Sequence, residues 1–95
     1  MPDTPASLNL DDFFGQMVVL DLSSPYVCIG RLVAADDVYF HLFDADLHDF
    51  RDSPATRENY VVDSVRVGIR RNRKQVLVRR SEVVALTRFA DISES

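Results

Sequence analysis

The fold is decided by residues 26–46, which read YVCIGRLVAADDVYFHLFDAD. Two runs rich in β-branched and aromatic residues, 26–33 and 38–46, flank a short turn at 34–37, and this pattern predicts two paired strands. Gly30 lies inside the first run, where a glycine weakens a strand unless the chain bends sharply or a neighbour approaches closely. The stretch therefore predicts a strongly bent strand, as a small barrel requires.

The sequence on either side predicts three further strands. Residues 17–22 form a β-branched run that ends at a Ser-Ser-Pro turn, so they pair with the strand that contains Gly30. Later in the chain, residues 75–80 and 83–89 form two more apolar runs, joined by the short link at 81–82. We therefore expect a mainly β protein with five strands.

Two helical segments are predicted beside these strands. Residues 7–15 combine a cap candidate, two early acidic residues and a final glycine, and they predict a short N-terminal helix that covers the core. Residues 53–71 predict a helical insertion between the third and fourth strands, because Ser53 is a good cap and apolar residues follow at helical spacing. Residues 65–69 also alternate, so a strand there is the alternative.

Length and composition indicate one domain over residues 1–95, with a flexible arm at 1–6 and a tail at 90–95. The apolar fraction of 46% is enough for a core. Cys28 is the single cysteine, so no intrachain disulfide is possible. The sequence has neither a signal sequence nor an apolar run of about 18 residues, so we expect a soluble, cytoplasmic protein with no membrane partner.

Charge is divided along the chain, although the net charge is only −4. Residues 1–52 hold ten of the fifteen acidic side chains, whereas residues 53–80 hold eight of the eleven basic ones. Such a division favours either a basic face that meets a polyanion or a basic face of one subunit that meets the acidic face of the next.

Two short motifs resemble those of the Sm and Sm-like family. The first is Ile29-Gly30-Arg31-Leu32 with Asp36 at the family's spacing, and the second is Val78-Arg79-Arg80 followed by a polar pair and the apolar run 83–86. The resemblance covers residues 9–47 and 75–89, with the helical insertion in place of a variable hairpin loop. It implies a small, strongly bent, antiparallel Sm-like (SH3-like) barrel of five strands with an N-terminal helix.

The resemblance also implies a homo-oligomer. In the family, the fifth strand of one subunit pairs with the fourth strand of a neighbour, and the contacts close into a ring of about five to seven copies. Val83, Val84 and Leu86 supply the apolar part of that contact. A bent sheet with open edges has unpaired backbone groups, and a neighbouring subunit satisfies them.

Family members that bind uridine-rich single-stranded RNA use a stacking residue and an Asn after the motif Asp, together with the motif Arg. Counted from Asp36, the first two positions fall on Val38 and Phe40, which can neither stack well nor read a base edge. Counted from Asp37, they fall on Tyr39 and His41, which can do both. We favour the second alignment. The predicted RNA-binding residues are Asp37, Tyr39, His41, Arg79 and Arg80.

Two departures from the family pattern support a different function. Arg80 replaces a glycine of the second motif, and Glu82 places an acid nearby, so the arginines there could instead form ion pairs between subunits. The insertion carries a basic cluster that could bind phosphates or contact protein partners; it comprises Arg66, Arg70, Arg71, Arg73 and Lys74. The alternative function is therefore an oligomeric protein scaffold that does not bind nucleic acid.

Catalysis is not expected from this sequence. Cys28 lies within an apolar strand, and no serine has a recognisable His and Asp partner. Asp44, Asp46 and His48 alternate and would share one face of a strand, which makes them the only metal candidate, although a fourth ligand is not evident. We therefore predict no enzyme activity, no cofactor and no metal site.

Overall fold

The computed structural model describes residues 9–52 and 56–92, and five antiparallel strands in one sheet dominate it. They are β1 (Met17–Leu22), β2 (Tyr26–Ala35), β3 (Tyr39–Asp49), β4 (Arg73–Arg79) and β5 (Val83–Arg88). Their order in the sheet is β4-β3-β2-β1-β5, so β4 and β5 form its two edges. The prediction of a mainly β fold with five strands is confirmed. In the described ranges the sheet is not closed into a barrel by pairing of β4 with β5.

β2 and β3 come into close contact at Gly30. A Cβ atom at Gly30 would lie 2.8 Å from the Cβ and 3.1 Å from the Cα of Ala45. The pairing of β2 with β3 is irregular between Ile29 and Arg31, and Asp44 takes a positive φ of 52°. The glycine is thus needed because the backbone of β3 occupies the space that a side chain would fill.

The sheet is buried on both faces. One face carries the main core, in which Val18, Leu20 and Leu32 are fully buried. The other face carries a smaller cluster, in which Val19 and Ile29 pack against the helical insertion. Burial on both faces explains why β1 and β2 are continuously apolar instead of alternating.

The N-terminal helix is shorter than expected from residues 7–15. It is a single 3-10 turn at Leu10–Phe13, and residues 7 and 8 lie outside the described part of the chain. Leu10, Phe13 and Phe14 pack against the main core. The turn ends because the chain reverses at Gly15, whose φ is 86°.

The insertion forms one α-helix, α1 (Arg57–Val67), which lies between β3 and β4 in the chain. It does not run through 53–71 as predicted. Its cap is Thr56, whose hydroxyl accepts a hydrogen bond from the Asn59 N–H at 3.1 Å, and it ends at Gly68, whose φ is 92°. The predicted cap at Ser53, the arm at 1–6 and residues 93–95 of the tail lie outside the described residues.

Helix α1 has 11 residues. No helix within residues 9–52 and 56–92 is both long and apolar enough to cross a membrane. The buried residues of α1 are Val61 and Ser64, and Val61 joins the cluster on the second face of the sheet. The helix is therefore fixed to the sheet by one narrow side.

Gly30→Ala should destabilise the protein, because the added methyl group would overlap Ala45. We expect a loss of about 1–3 kcal/mol in the free energy of unfolding, measured by urea denaturation. The double variant Gly30→Ala with Ala45→Gly removes the nearest atom and should recover part of the loss. An unchanged urea midpoint in the single variant would contradict this account of the bend.

Candidate nucleic-acid interface

Two segments that are distant in sequence meet at one end of the sheet. The turn between β2 and β3 contacts the 3-10 turn at Arg80–Glu82, which links β4 to β5. The Arg80 N–H donates to the Val38 carbonyl at 2.8 Å, and the Arg80 guanidinium donates to the Asp36 carbonyl at 2.6 Å. Tyr39 pairs directly with Arg79 across β3 and β4. We call Asp36, Tyr39, His41, Arg79 and Arg80 the turn cluster.

Asp36 organises the turn cluster through three hydrogen bonds. One carboxylate oxygen accepts from the N–H groups of Val38 at 2.8 Å and Tyr39 at 2.7 Å, and the other lies 2.9 Å from Nε2 of His41. The bond to His41, followed by the two backbone bonds, lowers the pKa of Asp36 from 3.8 to about 2. An ionised carboxylate therefore holds both the turn and the imidazole.

The acid that makes these contacts is Asp36, whereas the predicted site contained Asp37. Asp37 is the next residue in the turn, and it is exposed. Asp36 nevertheless lies beside Tyr39 and His41, which were aligned with Asp37 in the sequence. The acid that organises the turn is therefore Asp36, one residue before the acid predicted for the site.

The alternation of β3 distinguishes the pair of residues counted from Asp36 from the pair counted from Asp37. Phe40 and Leu42 belong to the main core, and Phe40 is only 6% exposed. Tyr39 and His41 alternate with them and lie half-buried on the opposite side of the strand. Tyr39 and His41 are thus accessible to a ligand, whereas Phe40 is not.

The two arginines of the second motif differ in their surroundings. Arg79 is exposed at the end of β4, beside Tyr39. Arg80 has its guanidinium 5.0 Å from the centre of the Phe40 ring and bonded to the turn, so it supports the turn. Glu82 points elsewhere, because its carboxylate accepts from the Ser23 hydroxyl at 2.8 Å. The acid next to the cluster is therefore engaged by the turn between β1 and β2.

The three metal candidates do not converge. The positive φ of Asp44 interrupts the alternation, and its carboxylate pairs with Arg31 at 2.9 Å. Asp46 is 4% exposed, its pKa is raised by burial, and it accepts a hydrogen bond from the Asn72 amide at 3.2 Å. His48 stacks on Tyr60 with ring centres 4.1 Å apart. Within the described part of the chain, no group of three or more His, Cys, Asp or Glu could hold a metal ion.

Sequence reasoning missed the aromatic cluster that attaches α1 to β3. His48 lies near the end of β3 and Phe50 directly after it, and both rings contact Tyr60 of α1. The signal in the sequence was weak, because Tyr60 directly follows three charged or polar residues and His48 stands in an acidic run. The contact explains how a helix with few buried residues stays on the sheet.

The basic cluster lies at the start of β4, whereas the turn cluster lies at its end. Arg73 pairs with Ala45 across β3 and β4, and Arg79 pairs with Tyr39. Arg70 and Arg71 precede β4, Arg73 and Lys74 begin it, and all four are exposed. Cys28 lies in the core with its pKa raised to about 12 by burial, so its thiol is not poised as a nucleophile.

Comparison with known proteins identifies the fold. No protein-family model matches the sequence, and no curated protein matches it. Among solved structures, an Sm protein of Pyrococcus abyssii in complex with a uridine heptamer has a TM-score of 0.56 at 16% identity, covering 82% of this chain and 89% of that chain. An Sm-like protein of Archaeoglobus fulgidus has a TM-score of 0.55 at 13% identity, covering 88% and 99%.

A third match comes from a different assembly. A chain of the NatC complex bound to CoA has a TM-score of 0.56 at 21% identity, covering 85% of this chain and 84% of that chain. These matches together establish an Sm-like fold, and they confirm the resemblance seen in the sequence.

Acid should weaken the turn in a way that depends on Asp36. Its pKa is below the ordinary value, so the stabilisation is complete above about pH 4 and is lost as the pH falls towards about pH 2. Asp36→Asn removes the charge but keeps an acceptor, so its urea midpoint should fall less between these pH values than that of the wild type. Asp37→Asn is the matched control and should keep the wild-type slope; equal slopes for all three proteins would contradict the role of Asp36.

Proposed function

We propose that this chain is a single Sm-like domain that assembles into a homo-oligomeric ring and binds uridine-rich single-stranded RNA through the turn cluster. The observation that carries the proposal is the meeting of a stacking ring, an imidazole and an exposed guanidinium at one end of the sheet, on Tyr39, His41 and Arg79. Aromatic stacking, base-edge hydrogen bonding and phosphate contact are the three interactions that single-stranded RNA requires. The proposed role is binding and not catalysis, and its proposed location is the cytoplasm.

The open edges of the sheet support assembly. In the described residues β4 and β5 each pair on one side only, and both expose apolar side chains: Leu77 is 48% exposed and Val84 is 72% exposed. Pairing β5 of one copy with β4 of the next would satisfy the unpaired backbone groups and cover these side chains. Such a head-to-tail contact closes into a ring when the rotation fits, here with about five to seven copies.

Only the outward part of β5 is available for this contact. Val83 and Leu86, which were expected to join it, pack instead against the main core of their own subunit. Val84 lies where the pairing of β1 with β5 shifts register, between the pairs that Val83 and Ala85 make with β1. Val84 is therefore the apolar residue of β5 best placed to meet a neighbour.

Ring closure would also multiply the RNA site. The turn cluster lies beside the link between β4 and β5, and so beside both edges that meet a neighbour. Each copy would then place one cluster near the contact with the next copy. Several weak contacts on one strand of RNA gain affinity through high effective concentration.

Val84→Pro should break the ring while leaving the subunit folded. The proline removes an N–H from the outer edge at the one place where β5 skips its pairing with β1, so the pairing within the subunit changes little. Light scattering should report several subunits for the wild type and for Val84→Thr, which keeps the N–H, but one subunit for Val84→Pro. Circular dichroism checks that the variant remains folded, and a monomeric wild type would overturn the ring.

RNA binding is tested with a uridine heptamer and variants of the turn cluster. Tyr39→Ala should weaken binding by about 1–3 kcal/mol through lost stacking, and Arg79→Ala should reduce the slope of log affinity against log salt by about one. Phe43→Ala is the control for the loss of an aromatic side chain, and Arg73→Ala is the control for the loss of a positive charge. Both residues are exposed on the same two strands, away from the turn. Fluorescence anisotropy over a salt series measures each affinity.

Two results would redirect the proposal. Absence of binding at low salt would reject RNA as the ligand. Binding that survives Tyr39→Ala but is lost on replacement of Arg70 and Arg71 would place the nucleic acid on the basic cluster of the insertion.

The second candidate function is a protein scaffold that does not bind nucleic acid. The observation that favours it is the fold match to a chain of the NatC complex. That chain has a similar fold and belongs to a protein complex whose named ligand is CoA. The outer side of α1 offers a contact surface, where Val67 is 84% exposed. If this candidate is correct, the uridine heptamer does not bind the wild type, and Arg79→Ala alters assembly.

A further inference from the structure

The contact between His41 and Asp36 fixes which ring nitrogen carries the proton. An ionised carboxylate can only accept a hydrogen bond, so Nε2 of His41, 2.9 Å from the Asp36 carboxylate, must be the donor. In neutral His41 the proton therefore resides on Nε2, and Nδ1 is an acceptor. When His41 is protonated, Nε2 keeps its bond and Nδ1 becomes a donor.

The charged groups around His41 are few. Its direct partners across the sheet are Ala34 on β2 and Leu77 on β4, which carry no charge. On its side of the sheet, Asp36 approaches from the turn, and Arg79 pairs with Tyr39 from β4. Arg31 of β2 pairs with Phe43, and its guanidinium is bonded to Asp44. Arg80 lies over the Phe40 ring, on the other side of β3. The His41 side chain is 30% exposed, so a ligand can reach it.

We propose that His41 reads the base at the turn cluster and that its protonation shifts the preference from uracil to cytosine, an inference that rests on the proposed RNA function. The central atom of the Watson–Crick edge is a donor in uracil, the N3–H group, and an acceptor in cytosine, the bare N3. Neutral His41 offers an acceptor and matches uracil. Protonated His41 offers a donor and matches cytosine.

Asp36 confines the change in hydrogen-bonding character to Nδ1 of His41. The carboxylate holds Nε2 in both protonation states, so the ring keeps its orientation while only the character of Nδ1 changes. An Asn in place of His41 could rotate its amide and offer either the carbonyl acceptor or the NH2 donor at any pH. The pH dependence of base choice is therefore a property of the Asp36 and His41 pair.

The test compares uridine and cytidine heptamers at about pH 8 and about pH 5.5. Lower pH makes the whole protein more positive and strengthens binding of both RNAs, so the ratio of the two dissociation constants is the quantity to follow. We expect the preference for uridine to fall by about tenfold at the lower pH, as exchange of one hydrogen bond implies.

His41→Asn is the control variant, because it keeps hydrogen-bonding groups but cannot titrate; its ratio should not change with pH. In the free wild-type protein, NMR of the imidazole nitrogens at about pH 8 should place the proton on Nε2. A ratio that stays constant in the wild type, or that shifts equally in His41→Asn, overturns this inference while leaving RNA binding intact. Failure of both heptamers to bind at both pH values overturns the proposed function and this inference with it.

Discussion

The close approach of Ala45 to Gly30 is the contact on which the rest of the structure depends. With 2.8 Å between the Ala45 Cβ and the place of a Gly30 Cβ, β2 and β3 can bend together only if that atom is missing. One face of the sheet carries the main core, and the other face receives α1. In the described residues, β4 and β5 are the two edges of this sheet.

The turn cluster shows how the same sheet presents a polar site. β3 alternates between core and surface, so the residues that bury Phe40 and Leu42 necessarily bring Tyr39 and His41 to the other side. Asp36 then fixes the turn and the imidazole with one carboxylate. The position of the site is thus a result of core packing, whereas its chemistry comes from residues that the core does not constrain.

The five strands and the Sm-like fold could be predicted from sequence because β-branched runs, a strand glycine and short turns are local signals. The bounds of α1 could not, since the cap at Thr56 and the positive φ of Gly68 appear only in the folded chain. For the site, alternation along β3 indicated Tyr39 and His41. The choice of Asp36 over Asp37 depended on hydrogen bonds to the turn. Asp44, Asp46 and His48 do not share the face that their spacing suggested, because the positive φ of Asp44 interrupts the alternation.

β3 is long enough to keep the turn cluster and the aromatic cluster far apart. Nine residues separate Tyr39 in the turn cluster from His48 in the aromatic cluster, a chain path of about 30 Å. Groups so far apart with no shared partners are energetically independent, so their substitutions add. Changes in the length or charge of the insertion should therefore leave the geometry of the turn cluster unaltered, so the two ends of the molecule can vary independently.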